Sequence, residues 1–366
     1  PRGSFAFIWR FIFKFSTNTA QHPMYFCGMF MIRFFKRAHL FHAQQVFVAL
    51  MLVLALMGCE QEIEVELPET ASVLVVEGKI ETGAPPIVFI GRAQGYFDPV
   101  DASTIGQSFL SGAVVQMTSQ GQTVDLDELC TGDLSPEALE QAAELLGFPA
   151  GLLAELNLCV YTSFDAISFG QAGNSYALDV LIDEEELHAV TEILPAIPLD
   201  SIRWSAPGTN DTLGLLFASF TDPGTPGNAY RWFAKRINIR PEWDPLAGMM
   251  KDADFVAPLG SVFDDAFFNG LSFEFGTFRG SAPGSMAWDD EFSNPESGYF
   301  KASDTVVVRM CAIDLAVFDA IASYENLILS QGSPFALPAN MVSNIEGGQG
   351  LWAGYGVWQD TVICLP

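Results

Sequence analysis

Four kinds of residue in this chain have types and spacings that suit chemistry. Carboxylates come in close groups at Asp252 and Asp254, at Asp264 and Asp265, and at Asp289, Asp290 and Glu291. A glycosidase needs two carboxyls facing each other across a sugar ring, which neighbours in one loop do not provide. Calcium takes several oxygen ligands from flexible loops, so Asp264, Asp265, Asp289 and Asp290 are weak calcium candidates. None of these runs has the EF-hand spacing, and a solvated acidic surface is their plainer reading.

Beyond Cys59 a single histidine remains, His188. Any Ser-His-Asp or Cys-His device would have to use it, and a His-rich zinc site is excluded. Its setting, LHAVTEIL, reads as an ordinary strand with a solvent-facing ring. Gly347-Gly348-Gln349-Gly350 has the glycines of a phosphate loop without its Lys-Ser/Thr. It marks instead a tight backbone crossing, where glycine tolerates positive φ. Trp352, Tyr355 and Trp358 nearby are candidates for stacking on a sugar or peptide, with core or rim packing as the plainer alternative. No catalytic constellation emerges, so the expectation is a protein that is not an enzyme and has no cofactor.

The cysteines say more about place than about reaction. Val46 to Leu56 is an eleven-residue apolar core, preceded by Arg33, Lys36 and Arg37 and followed by Leu56-Met57-Gly58-Cys59. A basic start, a core of about 7–15 apolar residues and a small residue at the cleavage site make a secretory signal. A cysteine directly after the small residue is the mark of lipidation at Cys59. A membrane-spanning helix needs about 20 apolar residues, and Glu60 ends this run too soon. Met31 is a plausible start, which leaves 1–30 as an upstream extension, 31–58 as the signal peptide and 59–70 as a lipidated tether.

Cleavage before Cys59 removes six of the 17 Lys and Arg and none of the 44 Asp and Glu, leaving a net charge of −33 on 308 residues. Such a body does not suit nucleic acid, whose phosphates need Lys and Arg, nor broad docking on anionic lipid. Four cysteines follow the tether, Cys130, Cys159, Cys311 and Cys364, and an exported protein permits disulfides among them. Three pairings are open. Cys130 with Cys159 is favoured because both flank one local insertion, while Cys311 and Cys364 form a second pair or stay as buried thiols in strands.

The elements that must position these residues are mostly strands. Short apolar runs alternate with clusters of Gly, Pro, Asn and Asp along the whole body. Ser72 to Lys79, Ile87 to Ala93, Gly112 to Met117 and Gln122 to Leu126 read as strands, the last two as a hairpin around Gly121. Between Cys130 and Cys159 the period turns helical, with Ser135-Pro136 as cap and first turn. Strands resume at Val160, Ser175 and Leu187, and Pro195-Ala196-Ile197-Pro198 is the natural boundary between 71–196 and 197–366. In the second half, Leu213 to Phe220 and Tyr230 to Ile239 are expected to pair as a hairpin with a protruding loop. Strands at Leu271 and Thr305 follow, then a helix from Leu315 capped by Asp314, and a last strand from Gly356 to Leu365.

Four stretches carry a family likeness: Leu74–Pro99, Phe220–Trp232, FDDAFFNG at Phe263–Gly270, and SPFALPANMVSNIEGGQGLWAGYGV at Ser333–Val357. In order and spacing they resemble the Bacteroidota outer-membrane lipoprotein family known as domain of unknown function 4249. The resemblance implies no assigned activity and no catalytic residue. It implies a lipoprotein commonly found beside TonB-dependent outer-membrane transporters. VEGKI, SGAVVQM and NSYALDV are also similar to the transthyretin-like sandwich of carboxypeptidase regulatory domains. The expected fold is therefore all-β: two β-sandwich domains, the first transthyretin/Ig-like with a short helical insertion, the second with one inserted helix. The acidic Glu60, Glu62 and Glu64 resemble a surface-export signal of those bacteria, which points to the cell surface of the outer membrane. The functional expectation is a non-enzymatic accessory or ligand-binding partner of a TonB-dependent transporter. A secreted carboxylate-dependent hydrolase and an adhesive surface protein are the alternatives.

Overall fold

Period-two alternation of buried and exposed side chains builds most of this protein. The structure, a computed structural model, describes residues 73–93, 108–146, 150–156, 158–206, 212–244, 247–252, 254–280, 298–330 and 341–365. The signal and tether segments, Cys59, Asp289 and Asp290 lie outside these residues. The described residues all belong to one compact unit, Glu69–Pro366.

Strand β1 (Leu74–Glu81) buries Leu74, Val76 and Ile80 and turns Glu77 and Lys79 to its other side. It runs antiparallel to β2 (Ile87–Arg92). Strands β3 (Val114–Ser119) and β4 (Gln122–Cys130) form the expected hairpin. Gln120 and Gly121 turn it with φ of 49° and 74°, the paired positive values whose twist suits a two-residue hairpin. Helix α1 (Pro136–Leu146) starts where the Ala138 N–H donates to Ser135 Oγ at 3.2 Å, a serine cap. Helix α2 (Ala150–Leu156) follows and buries Leu153. A disulfide between Cys130 and Cys159 closes the base of this insertion, joining residues opposite each other on β4 and β5 (Cys159–Thr162). Strands β6 (Asn174–Ile182) and β7 (Glu185–Ile193) complete this half, with Asp183 and Glu184 at positive φ in the turn.

The second half contributes β8 (Ser201–Ser205), β9 (Leu213–Thr221), β10 (Ala229–Arg236), β11 (Val262–Asp264), β12 (Ser272–Thr277), β13 (Phe300–Lys301) and β14 (Thr305–Ile313). Helix α3 (Leu315–Ser330), β15 (Ile345–Glu346) and β16 (Gln349–Ile363) end the chain. Asp314 caps α3 by accepting the Val317 N–H at 2.9 Å. Its second oxygen accepts the Thr191 hydroxyl at 2.7 Å, which ties the helix start to β7.

Strands β9 and β10 do not form the expected hairpin. β9 pairs with β8, β12 and β13, whereas β10 pairs with β11 and β14. Both strands alternate, and they stack their apolar faces instead of bonding edge to edge. Phe220 meets Tyr230 with ring centroids 4.9 Å apart. The connecting 222–228 segment holds Pro223 and Pro226, which cannot donate to a ladder, so the chain arches from one sheet to the other.

Among the described residues the strands make a 12-stranded sheet, ordered β11-β10-β14-β16-β1-β2-β5-β4-β3-β6-β7-β15, and a 4-stranded sheet around β9. The fold is all-β. One core gathers residues of the first half with Ile345 and Trp352, and a second gathers residues of the second half around Phe220, Trp232 and Phe300. Strand β16 serves both. It is parallel to β1 from Gln349 to Tyr355 and antiparallel to β14 from Gly356 to Ile363. The glycine run supplies the tight crossing, because Gly350 has φ +120° and a Cβ there would stand 1.9 Å from the Val76 carbonyl oxygen. Cys311 and Cys364 are both buried free thiols, and no second disulfide forms among the described residues. Cys364 belongs to the second core, while Cys311 faces the opposite side of the sheet, among residues packed under α3.

Candidate functional site

Strands β10, β14, β16, β1 and β2 are consecutive in the large sheet. Each gives one face to a core: Trp232, Met310, Trp352, Ile80 and Val88 are all buried there. Residues of the other parity share the opposite face, and α3 covers one part of it with Val317 and Ile321 against Cys311, Ile313 and Tyr355. Beside the helix the same face opens into a cleft of about 330 Å³, a size in the range of small-molecule sites.

The cleft has apolar walls and a charged interior. Phe89 and Phe109 stand edge to face at 5.9 Å on one side. Phe233, Phe255 and Leu351 line it elsewhere. The Arg309 guanidinium lies 3.7 Å from the centre of the Phe255 ring and donates to Glu81 at 2.8 Å. Glu81 also takes Lys79 at 3.4 Å, so one carboxylate serves two cations. Asp254 accepts the N–H of Phe255 at 2.7 Å.

Arg231 stands apart. Its guanidinium lies over the Phe233 ring at 4.8 Å, and Nη1 donates to the Tyr355 hydroxyl at 2.9 Å. Its Nε is buried with no hydrogen-bond acceptor, and it pairs with no carboxylate among the described residues. Tyr355 gives no charge compensation, because burial raises its phenol above the ordinary value although Arg231 pulls the other way. Cys311 on the cleft floor is likewise neutral, since burial pushes its thiol up to about 12 against the pull of Arg309.

Of the carboxylates singled out in the sequence, Asp254 lines the cleft, whereas Asp252 and Asp265 serve the fold. Burial works against the charge of Asp252, but Arg236 outweighs it and holds the carboxyl below its ordinary value. That pair is a two-pronged fork, Nη2 to Oδ1 at 2.6 Å and Nε to Oδ2 at 2.9 Å. Asp265 is buried and accepts the N–H groups of Gly227 and Asn228 at 2.8 and 3.0 Å. Those donors make Asp265 a clamp on the turn. Asp264 is half-buried at the end of β11, and no metal cluster includes either residue among those described. The one group of metal-type ligands among the described residues, Glu128 with Cys130 and Cys159, has its sulfurs in the disulfide.

Of the stacking candidates, only Tyr355 lines the cleft. Trp352 is fully buried in the first core, its Nε1 donating to the Tyr176 carbonyl at 2.9 Å, so its faces are taken. Trp358 packs against the second core. His188 is exposed on β7, 2.7 Å from Asp179 across the hairpin. They line a shallow depression in which no Ser, Thr or Cys stands among the described residues.

Arg231, Arg309, Lys79 and Glu81 did not stand out as chemistry in the sequence. Their trace there is parity. YRWFAKR places Arg231 and Phe233 opposite the core residues Trp232 and Ala234, and VVVRMC does the same for Arg309. A strand that keeps an arginine flanked by buried residues is spending a cation on its far face, which must be lined by something.

Fold and site together define an all-β protein with a mixed-charge, aromatic-walled cleft on the outer face of its larger sheet. The family model described as Domain of unknown function (DUF4249) matches residues 60–361, and the chain belongs to that family. A comparison with curated proteins found none that matches.

Proposed function

We propose that this protein is a lipid-anchored outer-membrane protein that binds a small ligand in the cleft between β10 and β2, as accessory to a TonB-dependent transporter. The observation that carries the binding reading is Arg231, a cation held without a carboxylate partner in a cleft walled by phenylalanines. Low-polarity walls with a few placed polar groups are the usual makeup of a ligand site. Against hydrolysis by Asp252 or Asp265 stands their commitment to Arg236 and to backbone N–H groups. The anchor rests on the Val46–Cys59 signal, and the surface location on Glu60, Glu62 and Glu64. The transporter partnership rests on what the family resemblance implies.

Crosslinking in intact outer membranes, followed by purification of this protein, tests the partnership: a TonB-dependent transporter is expected in the product. Recovery of none refutes the accessory role. Replacing Glu60, Glu62 and Glu64 by alanine is expected to leave the protein protected from external protease. Continued accessibility refutes the surface-export role of those residues.

A further inference from the structure

We infer that the cleft takes an organic monocarboxylate with an apolar, ring-sized body, its carboxylate seated on Arg231. The inference rests on the ligand-binding reading of the same cleft and specifies its ligand.

The charge of the ligand follows from the pairing inside the cleft. Arg309 and Lys79 both pair with Glu81, although the Arg309 Nε, like that of Arg231, is buried without an acceptor. Asp254 is engaged by a backbone N–H. Arg231 is left with a positive charge, and among its five N–H groups only one, on Nη1, has a protein acceptor, the neutral Tyr355 hydroxyl. An unpaired cation at a half-buried site is costly, and an anion that brings its own acceptors removes that cost. The lining as a whole is balanced, with Lys79, Arg231 and Arg309 against Glu77, Glu81 and Asp254, and the positive charge that a ligand can meet is the local one on Arg231, which suits one negative charge and no more. A dianion would set its second charge among Glu77, Glu81 and Asp254.

The shape of the anionic group follows from how arginines are used elsewhere in this chain. Arg203 grips Glu274 with Nε at 3.0 Å and Nη2 at 2.7 Å, and Arg236 grips Asp252 by the same two nitrogens. That planar fork matches a carboxylate. In Arg231 the Nε is closed off as well as unpaired, and the edge left for a carboxylate is the terminal one, Nη2 beside the second N–H of Nη1, whose first N–H goes to Tyr355. Phe89, Phe109, Phe233 and Phe255 offer apolar ring surface to the body of the ligand.

Calorimetric titration of the full-length protein with 3-phenylpropionate, 3-phenylpropionamide and phenylphosphonate, at an alkaline pH where the phosphonate is a dianion, tests this. The acid is expected to bind, with the amide and the dianion weaker by about 10- to 100-fold, the range for losing hydrogen bonds to a charged group. Arg231→Gln is expected to lose the acid by a similar factor while keeping the weak amide affinity, which also reports that the variant is folded. Tyr355→Phe, which leaves the guanidinium in place, is expected to retain the acid. Equal binding of acid and amide, or an Arg231→Gln variant that binds the acid as wild type does, overturns the carboxylate assignment and leaves the binding cleft standing. Binding of neither acid nor amide overturns both.

Discussion

Strand β16 is shared by the two cores, and Gly350 is where that sharing is most sensitive. Gly350→Ala adds a methyl to a residue with φ +120°, and the new Cβ would stand 1.9 Å from the Val76 carbonyl oxygen and 2.9 Å from its nitrogen. Both atoms are backbone of β1, the parallel partner, so neither can rotate away. Strain of the φ angle costs about 1–3 kcal/mol, and forcing the strands apart adds about 1–3 kcal/mol. Together these are a large part of a typical stability of about 5–15 kcal/mol. Gly173→Ala separates the two contributions, since it has φ +84° with nothing within 4 Å of its Cβ and should show only the first. Urea unfolding followed by tryptophan fluorescence is the assay. Trp352 reports the first core, and Trp204 and Trp232 the second. In Gly350→Ala both cores should unfold at a lower midpoint and in one transition, because the same strand completes each. A midpoint equal to that of Gly173→Ala would refute the crowding, and separate transitions for the two cores would refute the coupling.

Three further outcomes follow from buried charges and thiols. Asp252→Asn should cost about 3–5 kcal/mol at neutral pH by removing the buried carboxylate that Arg236 grips. Because the folded carboxyl titrates below its ordinary 3.8, the wild-type advantage is complete above that value and lost as pH falls through the folded pKa. The gap between the two urea midpoints should therefore close in acid, and a gap that persists below the folded pKa would contradict this. Asp265→Ala should lower the melting temperature by stranding the Gly227 and Asn228 N–H groups, at about 1–3 kcal/mol each. Added calcium should leave the wild-type melt unmoved, and a calcium-dependent rise that Asp265→Ala abolishes would make Asp265 a ligand. Burial holds the Cys311 and Cys364 thiols at about 12, so at pH 8 iodoacetamide should modify both in urea and neither in the native protein. Rapid native labelling would mean that one of them is exposed.

Strands and caps were legible in the sequence because their determinants are local. The Ser135 and Asp314 caps, the Gly121 turn and the alternation of β1 need only near neighbours. The Cys130–Cys159 bridge was legible because the helical insertion between the two is self-contained. The arch between β9 and β10 was not. A hairpin and a sheet-crossing arch have the same two alternating strands and the same polar loop, and only distant partners, β14 for one and β12 for the other, decide between them. The Asp183-Glu184 turn was hidden for a different reason: it adopts positive φ without glycine or asparagine, so the register of β6 and β7 imposes what the turn residues do not favour. Aromatic residues near the glycine run were the visible candidates for binding, yet parity sends Trp352 into the core and Tyr355 to the cleft. The arginine that matters is 124 residues away from Tyr355.

That separation in sequence explains why the cleft belongs to neither half of the chain. Lys79, Glu81 and Phe89 come from β1 and β2, whereas Arg231, Phe233 and Arg309 come from β10 and β14. They share one face only because β16 lies between the two pairs, parallel to β1 over its first part and antiparallel to β14 over its second. The ion pair of Arg309 with Glu81 spans 228 residues of sequence, and the bond of Arg231 to Tyr355 ties β10 to the strand in the middle. A cut at Pro195–Pro198 would therefore divide the cleft as well as the chain. A family model that runs unbroken over residues 60–361 fits a site of this kind, in which the long last strand is at once the seam of the fold and the floor of the cleft.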